Sequence, residues 1–165
     1  MFSVPAYSQY ADVTAHGWKC RSCGPVSVGM VLSYYKKNYG SLDELIRHGD
    51  RMGAHNFEVG WYHKGLARLA EQYGMHAAAY DWYALSSAEA FKKLLPFMEH
   101  GPVIVSVHKY FNPRNGGHLL VVKGYDGTHV HYNEPAARDG SLRERKVTYE
   151  KFLTGWKRRA IHISL

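Results

Sequence analysis

At 165 residues, with 45% hydrophobic and 21% charged residues, the chain has the size and balance of one globular domain, residues 1–165, with a sizeable core. No run approaches the roughly 18 apolar residues of a membrane span, and the N-terminus lacks a basic-then-apolar signal peptide. A cytoplasmic protein with no membrane span is therefore expected. The formal charge of +7 and pI near 9.4 suit anionic partners or a plain solvated basic surface. The cations are dispersed apart from Arg143-Glu-Arg-Lys146 and Lys157-Arg-Arg159. No nucleic-acid motif accompanies them, so nucleic acid is not expected as a partner.

Residues 2–10 read as a short extended segment, followed by a polar loop to Gly17. The stretch Trp18-Lys-Cys-Arg-Ser-Cys-Gly-Pro-Val-Ser-Val-Gly-Met30 holds both cysteines. Pro25 suits the first position of a helix, and Val28, Val31, Leu32 and Tyr35 recur at helical steps beyond it. Ser41-Leu-Asp-Glu44 is a capping box opening a helix to about His48. Leu66, Leu69, Ala70 and Tyr73 mark a helix within Trp61–Tyr73, stopped by Gly74. Met75–Tyr80 fits a short strand. Ser86 with Glu89 opens a helix through Leu95, which Pro96 should kink or end.

Pro102–His108 reads as the first long core strand. Lys109–Gly117 is an exposed loop and a candidate wall of a cleft. Leu119–Val122 reads as a buried strand, and Asp126-Gly127 turns it into a return strand from Thr128 to Pro135. Tyr149–Trp156 resembles a short helix, and Arg158–Leu165 a final strand with Ile161 and Ile163 facing the core. A helical half thus precedes a strand half.

The chemistry follows from these placements. Cys23 lies at a helix N-terminus, where unpaired N–H groups and the macrodipole favour a thiolate. His118 opens a rigid strand just after two glycines, and the return strand brings polar residues back beside it. A cysteine at a helix start, a histidine opening a strand, and a carboxylate or amide across the hairpin form a nucleophile–base–orienter set. Two other uses of the cysteines fit less well. A redox Cys-x-x-Cys pair wants the helix to start at its first cysteine, whereas Gly-Pro follows the second. A zinc site needs further paired ligands that the sequence does not supply. His129 and His131 share a strand face without a third metal ligand. No metal or cofactor is therefore expected, and Cys20 is left as a bystander able to form an inhibitory disulfide with Cys23.

Taken together, Val4-Pro-Ala-Tyr-Ser-Gln9, Cys23-Gly-Pro-Val-Ser, Gly101-Pro-Val-Ile-Val-Ser-Val107, Gly117-His-Leu-Leu-Val-Val-Lys-Gly-Tyr-Asp-Gly127 and Asn133-Glu-Pro resemble, in this order, the C39 and C39-like cysteine peptidases. The family includes the double-glycine leader peptidases. The resemblance implies an α+β papain-like fold, an N-terminal helical half whose nucleophile helix packs on a C-terminal antiparallel sheet. It implies that Val4–Gln9 is an opening strand, and that Gln9 joins the Cys23 backbone N–H in an oxyanion hole. It also implies hydrolysis of a peptide or protein substrate, often after small residues such as a Gly-Gly pair, through Cys23 and His118. The family usually places Asp, sometimes Asn, directly before the last proline. Here Glu134 stands there, preceded by Asn133, and either is a candidate orienter of His118. The same nucleophile could serve deamidation, transglutamination or isopeptide cleavage, and a non-catalytic peptide-binding module is a further alternative.

Overall fold

The computed structural model describes residues 1–165. Five helices run in chain order: α1 (Cys23–Tyr34), α2 (Leu42–Arg51), α3 (His63–Glu71), α4 (Ser87–His100) and α5 (Tyr149–Gly155). The strands are β1 (His55–Asn56), β2 (Gly60–Trp61), β3 (His76–Asp81), β4 (Val103–His108), β5 (Gly117–Tyr125), β6 (His129–Asn133), β7 (Glu144–Thr148) and β8 (Trp156–Ser164). β1 and β2 form a small hairpin, and the other six make one antiparallel sheet in the order β3-β8-β4-β5-β6-β7.

Alternation along the central strands gives the sheet two apolar faces. Ile104, Leu119, Val121, Ile161 and Ile163 cluster with Val28, Val31 and Leu32 of α1, Leu45 of α2 and Leu66 of α3. On the other face Val103, Val105, Leu120, Val122 and Ala160 cluster with Phe91 and Leu94 of α4 and Phe152 of α5. The expected α+β arrangement is present, with α1, which begins at Cys23, on the first face. The second face adds a layer of its own.

Local signals account for most element ends. Ser41 accepts from the Glu44 backbone N–H while the Glu44 carboxylate takes the Ser41 N–H, a complete capping box. Ser86 accepts from Glu89 N in the same manner. Asp126 accepts the backbone N–H groups of Thr128 and His129 at the β5–β6 turn, which fixes the hairpin register. His131 is drawn into that turn through Asp126, and His129 bonds Thr128.

Three expectations need correction. Helix α1 begins at Cys23, two residues before Pro25, so the nucleophile candidate is itself the first helical residue. Pro96 neither ends nor bounds α4, which continues to His100. Pro96 and Lys92, whose carbonyl the missing N–H would have met, are both exposed, so water can take that carbonyl. Val4–Gln9 forms no strand. Pro5 has no N–H for a ladder, and the carbonyls of Val4 and Pro5 instead accept from the Asn133 side chain.

Candidate active site

Helix α1 is packed rather than capped into place. Gly24 to Leu32, nine consecutive residues, are buried, and Ser22 before the helix makes no side-chain cap bond. Gly24 permits the close approach: an added Cβ would stand 2.9 Å from Leu66 Cδ1 and 3.2 Å from Trp61. Trp61 in turn donates its Nε1–H to the Arg21 carbonyl at 2.7 Å, holding the turn that leads into Cys23. The thiol emerges at the floor of a cleft of about 800 Å³, which Gln9, Cys20, Cys23, Ser106 and His118 help to line.

His118 reaches the same cleft from β5, placed by the β4–β5 register that pairs it with Val107. It is 7% exposed, and Glu134 is 8% exposed. The Nε2 of His118 bonds Glu134 Oε1, which leaves Nδ1 as the nitrogen available to Cys23. Glu134 Oε1 also accepts the Ala136 N–H at 2.9 Å. Because Val121 pairs with Asn133, Glu134 falls one residue beyond the β5–β6 ladder and comes back over the start of β5.

The electrostatics follow from this contact chain. Burial pushes the Cys23 thiol up, but the hydrogen bond and charge of His118, with the Leu119 N–H, overcome it and hold the pKa below the ordinary thiol value. Burial disfavours the imidazolium, yet bonds and charge from Cys23 and Glu134 raise the pKa of His118 to about 10. Burial likewise opposes ionisation of Glu134, and His118 together with the Ala136 N–H brings its pKa down. Each shift favours the charged form: thiolate, imidazolium and carboxylate.

Of the two candidate orienters, Glu134 contacts His118 and Asn133 does not. The Asn133 amide donates to Val4 O at 3.0 Å and Pro5 O at 3.3 Å, pinning the N-terminal segment against β6. That segment also joins the Glu134 loop through Gln9 N–H to Pro135 O at 2.7 Å and Ser8 Oγ–H to Ala137 O at 2.6 Å. Gln9 is thereby carried to the cleft, 3% exposed, with one amide hydrogen on Lys19 O at 2.8 Å and its Oε1 unpartnered. The loop from Lys109 to Gly117 contributes Lys109 and Gly117 to the cleft. Its Phe111 turns inward, where an added Cβ on Gly155 would lie only 2.2 Å from Phe111 Cα.

The sequence reading missed another wall of the cleft. His63 and Lys64 at the start of α3, together with Lys157 and Arg159 of β8, line the cleft there. The Lys157-Arg-Arg159 run was visible as charge, but nothing local placed Lys157 and Arg159 in the cleft that Cys23 lines. No group of three metal-ligating side chains forms anywhere in the chain, and no helix is long and apolar enough to cross a membrane.

The fold recurs in solved structures. A double glycine motif protease from an AMS/PCAT transporter, solved in complex with a leader peptide, superposes with a TM-score of 0.67 at 23% identity, covering 99% of this chain and 92% of that one. A protein described as a C39-like peptidase from Bacillus anthracis gives 0.72 at 19% identity, covering 100% and 96%. The peptidase domain of Streptococcus ComA, a bifunctional ABC transporter of a quorum-sensing pathway, gives 0.64 at 23% identity, covering 94% and 98%. No curated protein matches the sequence. The model of the Peptidase_C39 like family matches residues 1–161, and the chain belongs to that family of papain-like cysteine peptidases.

Proposed function

We propose that the protein hydrolyses peptide bonds through a Cys23 thiolate–His118 imidazolium pair and an acyl-enzyme intermediate, within one peptidase domain spanning residues 1–165. The observation that carries this reading is the buried contact chain Cys23–His118–Glu134 at the floor of an open cleft. The thiolate attacks the scissile carbonyl carbon, and the carbonyl oxygen takes the negative charge. The second amide hydrogen of Gln9 and the Cys23 backbone N–H stabilise that oxyanion. His118 Nδ1 gives its proton to the leaving amine, then accepts one from the water that cleaves the thioester. Glu134 holds the ring in the tautomer and orientation both steps require.

The substrate is a peptide or protein. A fold neighbour is described in complex with a leader peptide, and family membership favours cleavage after small residues such as Gly-Gly. Incubation with a peptide library and mass spectrometry of the products tests the reaction class. Fragments that together gain one water are the expected result. Loss of ammonia would indicate deamidation, a linked product would indicate acyl transfer to an amine, and unchanged peptides would leave only binding.

A further inference from the structure

The cleft has a one-sided charge that hydrolysis itself does not use. Six cations line it, Arg21, Lys64, Arg68, Lys109, Lys157 and Arg159, against Asp81 as its one carboxylate. Most of these side chains would read as a solvated basic rim, but Lys157 and Arg159 are held differently. Between Ser106 and Val107 the β4–β8 register slips: Ser106 pairs with Arg159, and Val107 pairs with Trp156. The residues between form a bulge in which Arg158 adopts φ 57°, a left-handed conformation that is strained for a non-glycine residue.

The surroundings hold that strain in place. Arg158 Nη1 donates to Leu85 O at 2.7 Å, its guanidinium lies 4.7 Å from the Tyr83 ring centroid, and its carbonyl accepts from Trp82 N at 2.8 Å. Trp156 Nε1 donates to Arg159 O at 3.0 Å on the other side. Arg158 is thus fastened away from the cleft, and the residues on either side of it line the cleft. Strained backbone fixed in this way clusters at functional sites.

The two cations so presented are under-partnered. Lys157 makes no ion pair, and its Nζ stands 3.2 Å from where a Cβ on Gly117 would be, immediately before His118. Arg159 Nε is shielded from solvent without a hydrogen-bond acceptor, with Asp81 Oδ2 3.3 Å away as its only ionic partner. His63 lies beside both cations, and burial together with their charge disfavours its protonation. Lys157 thus lines the cleft next to His118 with no anionic partner, and Arg159 lines it with Asp81 alone.

We infer that Lys157 and Arg159 form a carboxylate-recognition pair in the cleft, so that the peptides this protein cuts carry a carboxylate close to the scissile bond. This rests on the peptidase reading above. An extended peptide advances about 3.3 Å per residue, so the position of Lys157 next to Gly117 and His118 puts the recognised group within about two residues of the cut. The carboxylate is either an acidic side chain or the free C-terminus of a short segment beyond the cut.

The test uses blocked decapeptides with a Gly-Gly-Ala centre, Glu or Gln placed at each of the two positions on either side, and a free or amidated C-terminus. Binding is measured by fluorescence anisotropy on Cys23→Ala, and cutting by mass spectrometry on the wild type. One Glu position is expected to bind about tenfold tighter than its Gln counterpart. That preference should fall below about twofold with Lys157→Gln and Arg159→Gln added, and shrink with salt. Lys157→Gln alone, which breaks no ion pair of the fold, should already lower it, whereas Lys92→Gln on the far face should not. A preference carried by the free C-terminus instead identifies the chain end as the recognised group. Equal binding of all peptides, including none, or a preference that survives both substitutions, overturns the inference. A Glu preference that the two substitutions abolish, with no cutting by the wild type, would instead sink the peptidase reading and leave the carboxylate site standing.

Discussion

The two halves of the proposed catalytic pair are built by different physics. Cys23 is positioned by packing: its helix is buried along nine consecutive residues, and the approach of α1 to Trp61 and Leu66 depends on the missing side chain of Gly24. His118 is positioned by polar contacts, from Glu134 and in turn from the Ala136 N–H. The nucleophile side therefore tolerates little change in shape, and the base side little change in charge. Substitutions should separate the two.

The largest effect is expected for the reacting groups themselves. Cys23→Ala should abolish peptide cleavage, and His118→Ala should lower kcat/KM by about 10³ or more, since residues that act as a unit fail together. Both should keep the circular dichroism of the wild type. Next comes Gln9→Ala, which removes the proposed oxyanion donor and should lower kcat about 10²–10³-fold with little change in KM.

Glu134→Gln keeps shape and removes charge, so it tests the polar half alone. A neutral amide no longer favours the imidazolium, so the His118 pKa should fall from about 10, while the carboxylate's own repulsion of the Cys23 thiolate is also removed. The sign is then fixed for the basic limb of the kcat/KM profile against pH. The basic limb moves to lower pH, and activity near neutrality drops about 10–10²-fold as the ring loses the group that orients it. An unmoved profile would show that Glu134 does not act through His118.

Gly155→Ala is the converse, a change of shape without charge. The added Cβ meets the Phe111 backbone, which no rotamer change relieves, so stability should fall by about 1–3 kcal/mol in thermal or urea denaturation. The displaced Lys109–Gly117 loop leads into His118, and a several-fold loss of kcat should accompany it. The pH limbs should stay where they are.

The contrast also explains which parts of the molecule could be read from the sequence. Cys23, His118 and Glu134 each sit next to a strong local signal: Gly-Pro at a helix start, Gly-Gly before a strand, and a polar end beyond an Asp-Gly turn. Those signals act over a few residues, so the element types and the site they frame were legible. The choice between Glu134 and Asn133 was not, because it turns on a β5–β6 register that leaves Asn133 reaching for Val4 and Pro5. Pro96 misled because its cost depends on whether the freed carbonyl faces water. The bulge at Arg158 was invisible for a related reason. It is held by Leu85, Tyr83 and Trp82, more than seventy residues away in the chain.

The central claim is that His118 makes Cys23 a thiolate at neutral pH. The direct measurement is the rate of Cys23 alkylation against pH, read by mass spectrometry on wild type and His118→Ala, with exposed Cys20 as the internal reference. Cys23 in the wild type should react well below the pH expected of a free thiol, whose pKa is about 8.5. That advantage over Cys20 should disappear in His118→Ala. If Cys23 and Cys20 follow the same curve in both proteins, the ion pair does not exist and the catalytic reading fails with it.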